Sequence, residues 1–101
     1  MSMLLTGELT IDYDSRQVEE GGRNIKLTQK EYSLLELLAR NQKKVLTKRM
    51  LLEQVWDNQG FFVEDNTLNV TLSRLKKKIE PDPAHPVYIK NVFGMGYTLG
   101  E

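Results

Sequence analysis

The stretch 66-NTLNVTLSRLKKKIEPD-82 decides the fold of this chain, because it is compatible with either a strand or a helix. Residues 67–72 alternate apolar and polar side chains, which is typical of a half-buried strand. On a helix that turns by about 100° per residue, one narrow stripe instead holds Leu68, Leu72, Leu75 and Ile79. A strand would place Leu75 and Ile79 on the face opposite Leu68 and Leu72, so the pattern predicts one helix over about 66–79.

The face opposite this apolar stripe carries side chains suited to contact with nucleic acid. Asparagine and arginine make bidentate hydrogen bonds to base edges, and valine packs on the thymine methyl group. The residues on this face are Asn66, Asn69, Val70, Ser73, Arg74 and Lys77. Asp65 is expected to cap the start of the helix, and Pro81 and Pro83 stop it soon after Ile79.

The net charge does not indicate a nucleic-acid partner, but the distribution of charge along the chain is informative. The chain has 101 residues and a formal net charge of zero. Residues 40–49 nevertheless hold five cations and no acid, and residues 66–79 hold four cations and no acid. Such asymmetry can give a neutral molecule one basic face. The alternative is that both runs are solvated helix faces, and charge alone does not decide between the two.

Composition limits the other possibilities. A chain of this length forms one domain with a modest core, so residues 1–101 are taken as a single unit. With no cysteine in the sequence, disulfides and thiolate metal sites are excluded. No apolar run approaches the ~20 residues of a membrane span, and no signal peptide is evident, which predicts a cytoplasmic protein.

Periodicity divides the chain into three parts. Residues 4–27 are predicted to form about four short strands joined by tight turns, because apolar residues alternate there between turn-forming pairs. Residues 28–80 follow helical spacing and hold three predicted helices. Residues 87–100 are predicted to form a β-hairpin around a turn at 93–96. The result is an α+β fold, a winged helix-turn-helix with an N-terminal four-stranded antiparallel sheet, three helices and a C-terminal wing.

Local signals set the limits of the first two helices. Thr28 and Glu31 form a capping box at the start of the first helix, and Asn41 is expected to end it. After a short extended piece at 45–46, Thr47 is expected to cap a second helix that runs to about Trp56. Its inward-facing residues are predicted to be Met50, Leu51 and Val55.

Four blocks in this order resemble the winged-helix output domain of OmpR/PhoB-type response regulators. The blocks are LTQKEYSLLELL at 27–38, VLTKRMLLEQVW at 45–56, DNTLNVTLSRLKKKIE at 65–80 and GMGY at 94–97. The resemblance implies sequence-specific binding of double-stranded DNA and control of transcription in a two-component regulatory system. It also implies a phosphorylated receiver domain, absent from this chain, whose pairing places two output domains on direct repeats. The isolated domain is then expected to be monomeric.

The resemblance assigns roles residue by residue along the third helix, in the major groove. Base readers fall on Asn69, Val70 and Arg74. Phosphate contacts fall on Trp56, Asn66, Thr71, Ser73 and Lys76, and Lys77 on the same polar face is expected to add another. Several members of the family carry cations where Asn66 and Ser73 stand, so fewer electrostatic contacts are expected there.

The wing, residues 87–99, departs from the family pattern although the resemblance places it near the adjacent minor groove. Where many members have Thr-Val-Arg-Gly, this chain has Asn91-Val92-Phe93-Gly94. Phe93 therefore replaces the arginine that enters the minor groove. Two positions are open to Phe93: folded back against the hairpin and Tyr97, or directed outward against the sugar edges. Lys90 is expected to be the cation of the wing, with Asn91 beside it.

The segment before the third helix carries an unusual aromatic pair, Phe61 and Phe62. In the resembled family the equivalent loop can touch RNA polymerase, while the alternative is that one or both rings pack on the core. The segment FFVEDNTLNV at 61–70 also looks like the branch that responds to bacitracin and other antimicrobial peptides.

Enzymatic and metal functions find little support in the sequence. There is no nucleophile with a base, no carboxylate pair on one element and no cofactor loop, so neither catalysis nor a cofactor is expected. Gly94-Met95-Gly96 lacks a third glycine and precedes a strand, which excludes a phosphate loop. His85 has no second imidazole, so no metal site is expected. The competing hypothesis is a protein-interaction module that uses Phe61, Phe62 and the basic face.

Overall fold

A computed structural model describes residues 3–56 and 65–100, so Phe61 and Phe62 lie outside the described residues. The N-terminal part is an antiparallel meander of four strands in the order β1-β2-β3-β4. The strands are β1 (Met3–Thr6), β2 (Leu9–Asp12), β3 (Gln17–Glu20) and β4 (Arg23–Ile25). The predicted sheet is therefore confirmed.

Alternation along these strands turns one face of the sheet toward the core. Ile11 pairs with Val18, and Val18 pairs with Ile25, so an apolar row crosses the three strands β2, β3 and β4. Ile11 and Val18 are buried and Ile25 is partly buried against the core. Gly21 and Gly22 form the β3–β4 turn with φ of 60° and 82°, which is a conformation that glycine adopts without steric cost.

Three helices follow: α1 (Gln29–Arg40), α2 (Lys48–Trp56) and α3 (Asp65–Ile79). The capping box of α1 is present, because the Glu31 amide donates to Thr28 Oγ1 at 3.2 Å and the Thr28 amide donates to Glu31 Oε1 at 2.9 Å. Asn41 is the C-cap of α1, as predicted. None of the helices in the described ranges is long and apolar enough to cross a membrane.

The start of α2 corrects one expectation. The Thr47 hydroxyl accepts from the Met50 amide at 3.1 Å, which confirms its capping role. Leu51 and Val55 are buried, but Met50 is 45% exposed and does not face inward. Leu51 and Val55 are four residues apart and define the inner face, and Met50 lies about 100° away from Leu51 around the axis.

Residues 65–79 form the helix α3 and not a strand. Its apolar stripe of Leu68, Leu72, Leu75 and Ile79 is buried, with no residue more than 4% exposed. The helix begins at Asp65, the residue that was expected to cap it, one residue before the predicted start. The same sequence cannot form a strand without exposing half of this stripe.

The wing is the hairpin of β5 (Ile89–Val92) and β6 (Gly96–Leu99). A further pair of hydrogen bonds joins it to the segment before α2. The Leu46 amide donates to Tyr97 O at 2.8 Å, and the Tyr97 amide donates to Leu46 O at 2.9 Å. The extended piece predicted at 45–46 is thus a bridge that attaches the wing to the helical core.

Candidate nucleic-acid interface

The outer face of α3 presents the polar side chains that the sequence predicts there. Each of these is exposed, and Val70 is 37% exposed among them. The residues are Asn66, Asn69, Val70, Ser73, Arg74 and Lys77. The core stripe holds the helix from behind, so its position is fixed while this face stays open to a partner.

Three cations of α3 have no acidic partner in the part of the chain that the structure describes. Arg74, Lys76 and Lys77 form no ion pair with any residue in the ranges 3–56 and 65–100. In the other basic run, by contrast, Arg40 binds Glu36 at 2.8 Å and Arg49 binds Glu53 at 3.2 Å. Lys43, Lys44 and Lys48 of that run form no ion pair with the described residues either, so unpaired positive charge remains on both α3 and the run 40–49.

Two of the expected phosphate ligands are placed less openly. Trp56 is only 7% exposed, so its ring is mainly part of the core. The Lys30 ammonium lies 5.8 Å from the centre of that ring. The Thr71 hydroxyl donates to Thr67 O at 2.9 Å, and a hydroxyl engaged in this way has no proton left for a phosphate oxygen.

The wing lies beside α3 and extends its surface. A shallow groove of about 210 Å³ runs between the two, with Asn69, Ser73 and Lys76 on the helix and Asn91 and Tyr97 on the wing. Side chains on both elements can thus face one duplex at the same time.

The wing tip is apolar and directed outward. Phe93 is 97% exposed, so the alternative in which its ring folds back against the hairpin is wrong. Met95, also in this turn, is 62% exposed. A second groove of about 530 Å³ lies between this tip and the start of α2 at Lys48 and Arg49.

An ion pair between a buried acid and a partly exposed lysine anchors the end of α3, and no sequence pattern revealed it. Lys78, in the last turn of α3, donates to Glu31 Oε1 at 2.6 Å. Burial by itself raises the pKa of Glu31. The hydrogen bonds from Lys78 and Thr28, together with the charge of Lys78, outweigh it and hold that pKa below its usual value. One carboxylate therefore caps α1 and holds α3.

Two further buried acids fix the root of the wing. Glu80 accepts hydrogen bonds from the backbone of residues 87–89. The Tyr88 hydroxyl donates to Glu20 Oε2 at 3.1 Å, which connects the wing root to β3. Burial raises the pKa of Tyr88, and the hydrogen bond to Glu20 raises it further. Glu20 precedes Tyr88 by 68 residues, and a proline-rich loop separates Glu80 from residues 87–89. No spacing in the sequence therefore indicates either contact.

No arrangement of His, Asp and Glu suited to a metal ion occurs among residues 3–56 and 65–100. His85 instead contacts Asp82, with Nδ1 and Oδ2 separated by 3.0 Å, and both side chains are exposed. The pair lies in the proline-rich turn that precedes the wing.

Comparison with known proteins identifies this architecture. The family model for the C-terminal part of transcriptional regulatory proteins matches residues 22–99. The transcriptional regulatory protein YcbL of Bacillus subtilis is 46% identical over 94 residues, which cover 93% of this chain and 41% of YcbL. This chain spans about two fifths of the length of the curated relatives that it matches.

Two solved structures show the same fold. DrrB of Thermotoga maritima, an OmpR/PhoB homologue, superposes with a TM-score of 0.90 at 35% identity, over 98% of this chain and 44% of DrrB. The DNA-binding domain of RstA from Klebsiella pneumoniae, solved with the RstA box, gives a TM-score of 0.85 at 30% identity, over 99% of this chain and 98% of that domain. The narrower resemblance to the bacitracin branch stays a prediction. The chain belongs to the family of C-terminal domains of transcriptional regulatory proteins, the winged-helix DNA-binding domains of OmpR/PhoB-type response regulators.

Proposed function

We propose that α3 enters the major groove of a specific DNA site and that the wing contacts the same duplex beside it. The observation that carries this proposal is the outer face of α3, where Asn69, Val70 and Arg74 are exposed together on a helix fixed by its buried stripe. Asparagine and arginine match the donor and acceptor patterns of adenine and guanine, and valine matches the thymine methyl group.

Phosphate contacts surround this set in the proposed complex. Lys76 and Lys77 supply charge, since neither has an ion-pair partner among the described residues, and Asn66 and Ser73 supply neutral hydrogen bonds. Trp56 and Thr71 contribute less, because the Trp56 ring is buried and the Thr71 hydroxyl is engaged with Thr67. Such contacts position a protein on the duplex without carrying sequence information.

Arg74 and Lys77 offer a direct test on one helix face. Arg74→Ala is expected to cost about 1–3 kcal/mol of binding free energy and to relax the preference at one base pair. Lys77→Ala is expected to weaken binding to all sequences alike and to lower the slope of log K against log salt by about one. Titrations of both variants on a selected site and on random duplex, at two salt concentrations, measure these effects.

Equal losses on specific and random duplex for both variants would remove Arg74 from the base-contacting set. Absence of any binding to duplex DNA, even at low salt and high protein concentration, would instead favour the protein-interaction hypothesis. The site for these titrations comes from selection of bound duplexes from a random pool.

The exposed wing tip gives a second test. An arginine at position 93 would be attracted into narrow A·T-rich minor grooves by their enhanced negative potential, which a phenyl ring is not. Phe93→Arg is therefore expected to tighten DNA binding and to steepen its salt dependence, most on sites with an A·T-rich flank. Titration of wild type and variant at two salt concentrations checks this. Unchanged affinity and slope would show that the tip does not reach the duplex.

The same proposal covers the longer protein from which such a domain comes. A receiver domain would precede this one and, when phosphorylated, would pair two copies on direct repeats in the cytoplasm. The segment with Phe61 and Phe62 would face RNA polymerase. The domain alone is proposed to be monomeric, which sedimentation at micromolar concentration without DNA would test. Its role is binding and not catalysis.

A further inference from the structure

Glu80 occupies an unusual place between α3 and the wing. It directly follows α3, and its amide continues the helical pattern by donating to Lys76 O at 2.9 Å. The residue is only 4% exposed, although glutamate is rarely buried without a partner. Its carboxylate points to the root of β5 and not to solvent.

Three consecutive backbone amides converge on this one carboxylate. The Val87 amide donates to Oε1 at 2.7 Å, and the Ile89 amide donates to Oε2 at 2.8 Å. The Tyr88 amide lies between them, at 3.1 Å from each oxygen. Glu80 forms no ion pair with the residues that the structure describes, so backbone donors alone compensate its charge there.

The chemistry of this arrangement requires an ionised carboxylate. A carboxylate only accepts hydrogen bonds, and its two oxygens have enough lone pairs for all three donors. A glutamine would direct an NH₂ donor at one or two of the amides and leave them unsatisfied. Charge-assisted hydrogen bonds are also stronger than neutral ones.

We propose that Glu80 is a positioning residue for DNA binding, because its hydrogen bonds with residues 87–89 set where the wing lies relative to α3. This inference rests on the proposed function, because the distance between the two elements matters only if both contact one duplex. On the α3 side, the position of Glu80 is fixed by Ile79 in the core and by the Lys78–Glu31 pair. On the wing side, Glu80 binds the start of β5, three residues before Val92. The groove between Asn69 and Asn91 therefore keeps one width.

Spin labels measure this position in the free domain. The chain has no cysteine, so Thr67→Cys on α3 and Met95→Cys at the wing tip, both exposed, can be labelled specifically. Pulsed electron resonance should give a narrow distance distribution in the otherwise wild-type domain. Glu80→Gln is expected to broaden or shift it. Ile11→Ala, a destabilising change at a buried side chain of β2, leaves Glu80 and its three donors in place, so it serves as the control and should leave the distribution narrow.

DNA titrations of the unlabelled protein complete the test. Glu80→Gln and Asn91→Ala should each weaken binding several-fold, and the double variant should lose little more than either one, because both act through the wing. Arg74→Ala combined with Glu80→Gln should instead be additive. If Glu80→Gln does not fold, Glu80→Asp, which keeps the charge on a shorter side chain, replaces it.

An unchanged distance distribution, or additive losses for Glu80→Gln and Asn91→Ala, would overturn the proposal and reduce Glu80 to a residue that stabilises the fold. Neither result would contradict the proposed function, because the base preference that depends on Arg74 is measured in a separate experiment.

Discussion

Replacing Gly96 with alanine is expected to detach the wing from the helical core. Gly96 has φ of 151°, in a region that residues with a side chain rarely adopt. A Cβ atom placed there would lie 2.1 Å from Leu46 O, a backbone atom that cannot rotate away. The substitution would therefore break the bridge between Leu46 and Tyr97. Backbone strain and overlap together are expected to cost about 3 kcal/mol or more of unfolding free energy.

Gly94→Ala is the matched control for this change. Gly94 lies in the same turn region with φ of 74°, and a Cβ there would meet no atom within 4 Å. Strain alone is then expected to cost about 1–2 kcal/mol. Denaturant unfolding of the two variants compares them directly. If both lose the same free energy, the contact with Leu46 contributes nothing and the bridge is not what holds the wing.

Lys78→Met is expected to destabilise the fold far more than the same change at the neighbouring Lys77. Removing Lys78 leaves the buried Glu31 carboxylate with the hydrogen bond that the Thr28 amide donates, and loss of one member of a buried pair is strongly destabilising. The Lys78 side chain is 38% exposed, which weakens the pair through solvent screening. A loss of about 1–3 kcal/mol is therefore expected, against about 0.5 kcal/mol or less for Lys77→Met.

The pH dependence of this loss follows from Glu31. Its pKa in the folded protein lies below the ordinary value of 4.5, so the unfolded chain binds the proton more readily. The pair thus contributes stability that is fully present above pH 4.5 and is lost as pH falls through the folded pKa. The difference in stability between wild type and Lys78→Met should shrink over that range. Urea unfolding at pH 7 and at successively lower pH measures it, and a constant difference would contradict the ion-pair account.

Periodicity and capping predicted most of the fold because they act over a few residues. The spacing of Leu68, Leu72, Leu75 and Ile79 fixed both the type and the inner face of α3, and Thr28 with Glu31 fixed the start of α1. Met50 was placed wrongly because Leu51 and Val55 define the inner face of α2, and Met50 lies about 100° from Leu51 around the helix axis. At its N-terminus a single apolar residue gives no periodic signal of its own.

The buried acids escaped prediction for a different reason. Glu31 appeared as a capping residue, and its second partner, Lys78, is 47 residues away. Glu80 is separated from its partners by a proline-rich loop, and no local sequence pattern indicates that three backbone amides donate to it. Such contacts depend on the packing of elements, which local patterns do not encode. The base-contacting set on α3 was accessible because a helix face is a local property, while its contacts with DNA stay predictions.

The bridge between Leu46 and Tyr97 has a consequence for the order in which the chain folds. The two residues are 51 positions apart, since Tyr97 follows Leu46 by that number along the chain. The hairpin of β5 and β6 closes over a short turn and can form within microseconds, but it cannot dock before α1, α2 and α3 have brought residue 46 into place. Docking is then a late step, and its reversal breaks both bridge hydrogen bonds together without unfolding α3. In hydrogen exchange, the Leu46 and Tyr97 amides should therefore lose protection together and before the amides of α3.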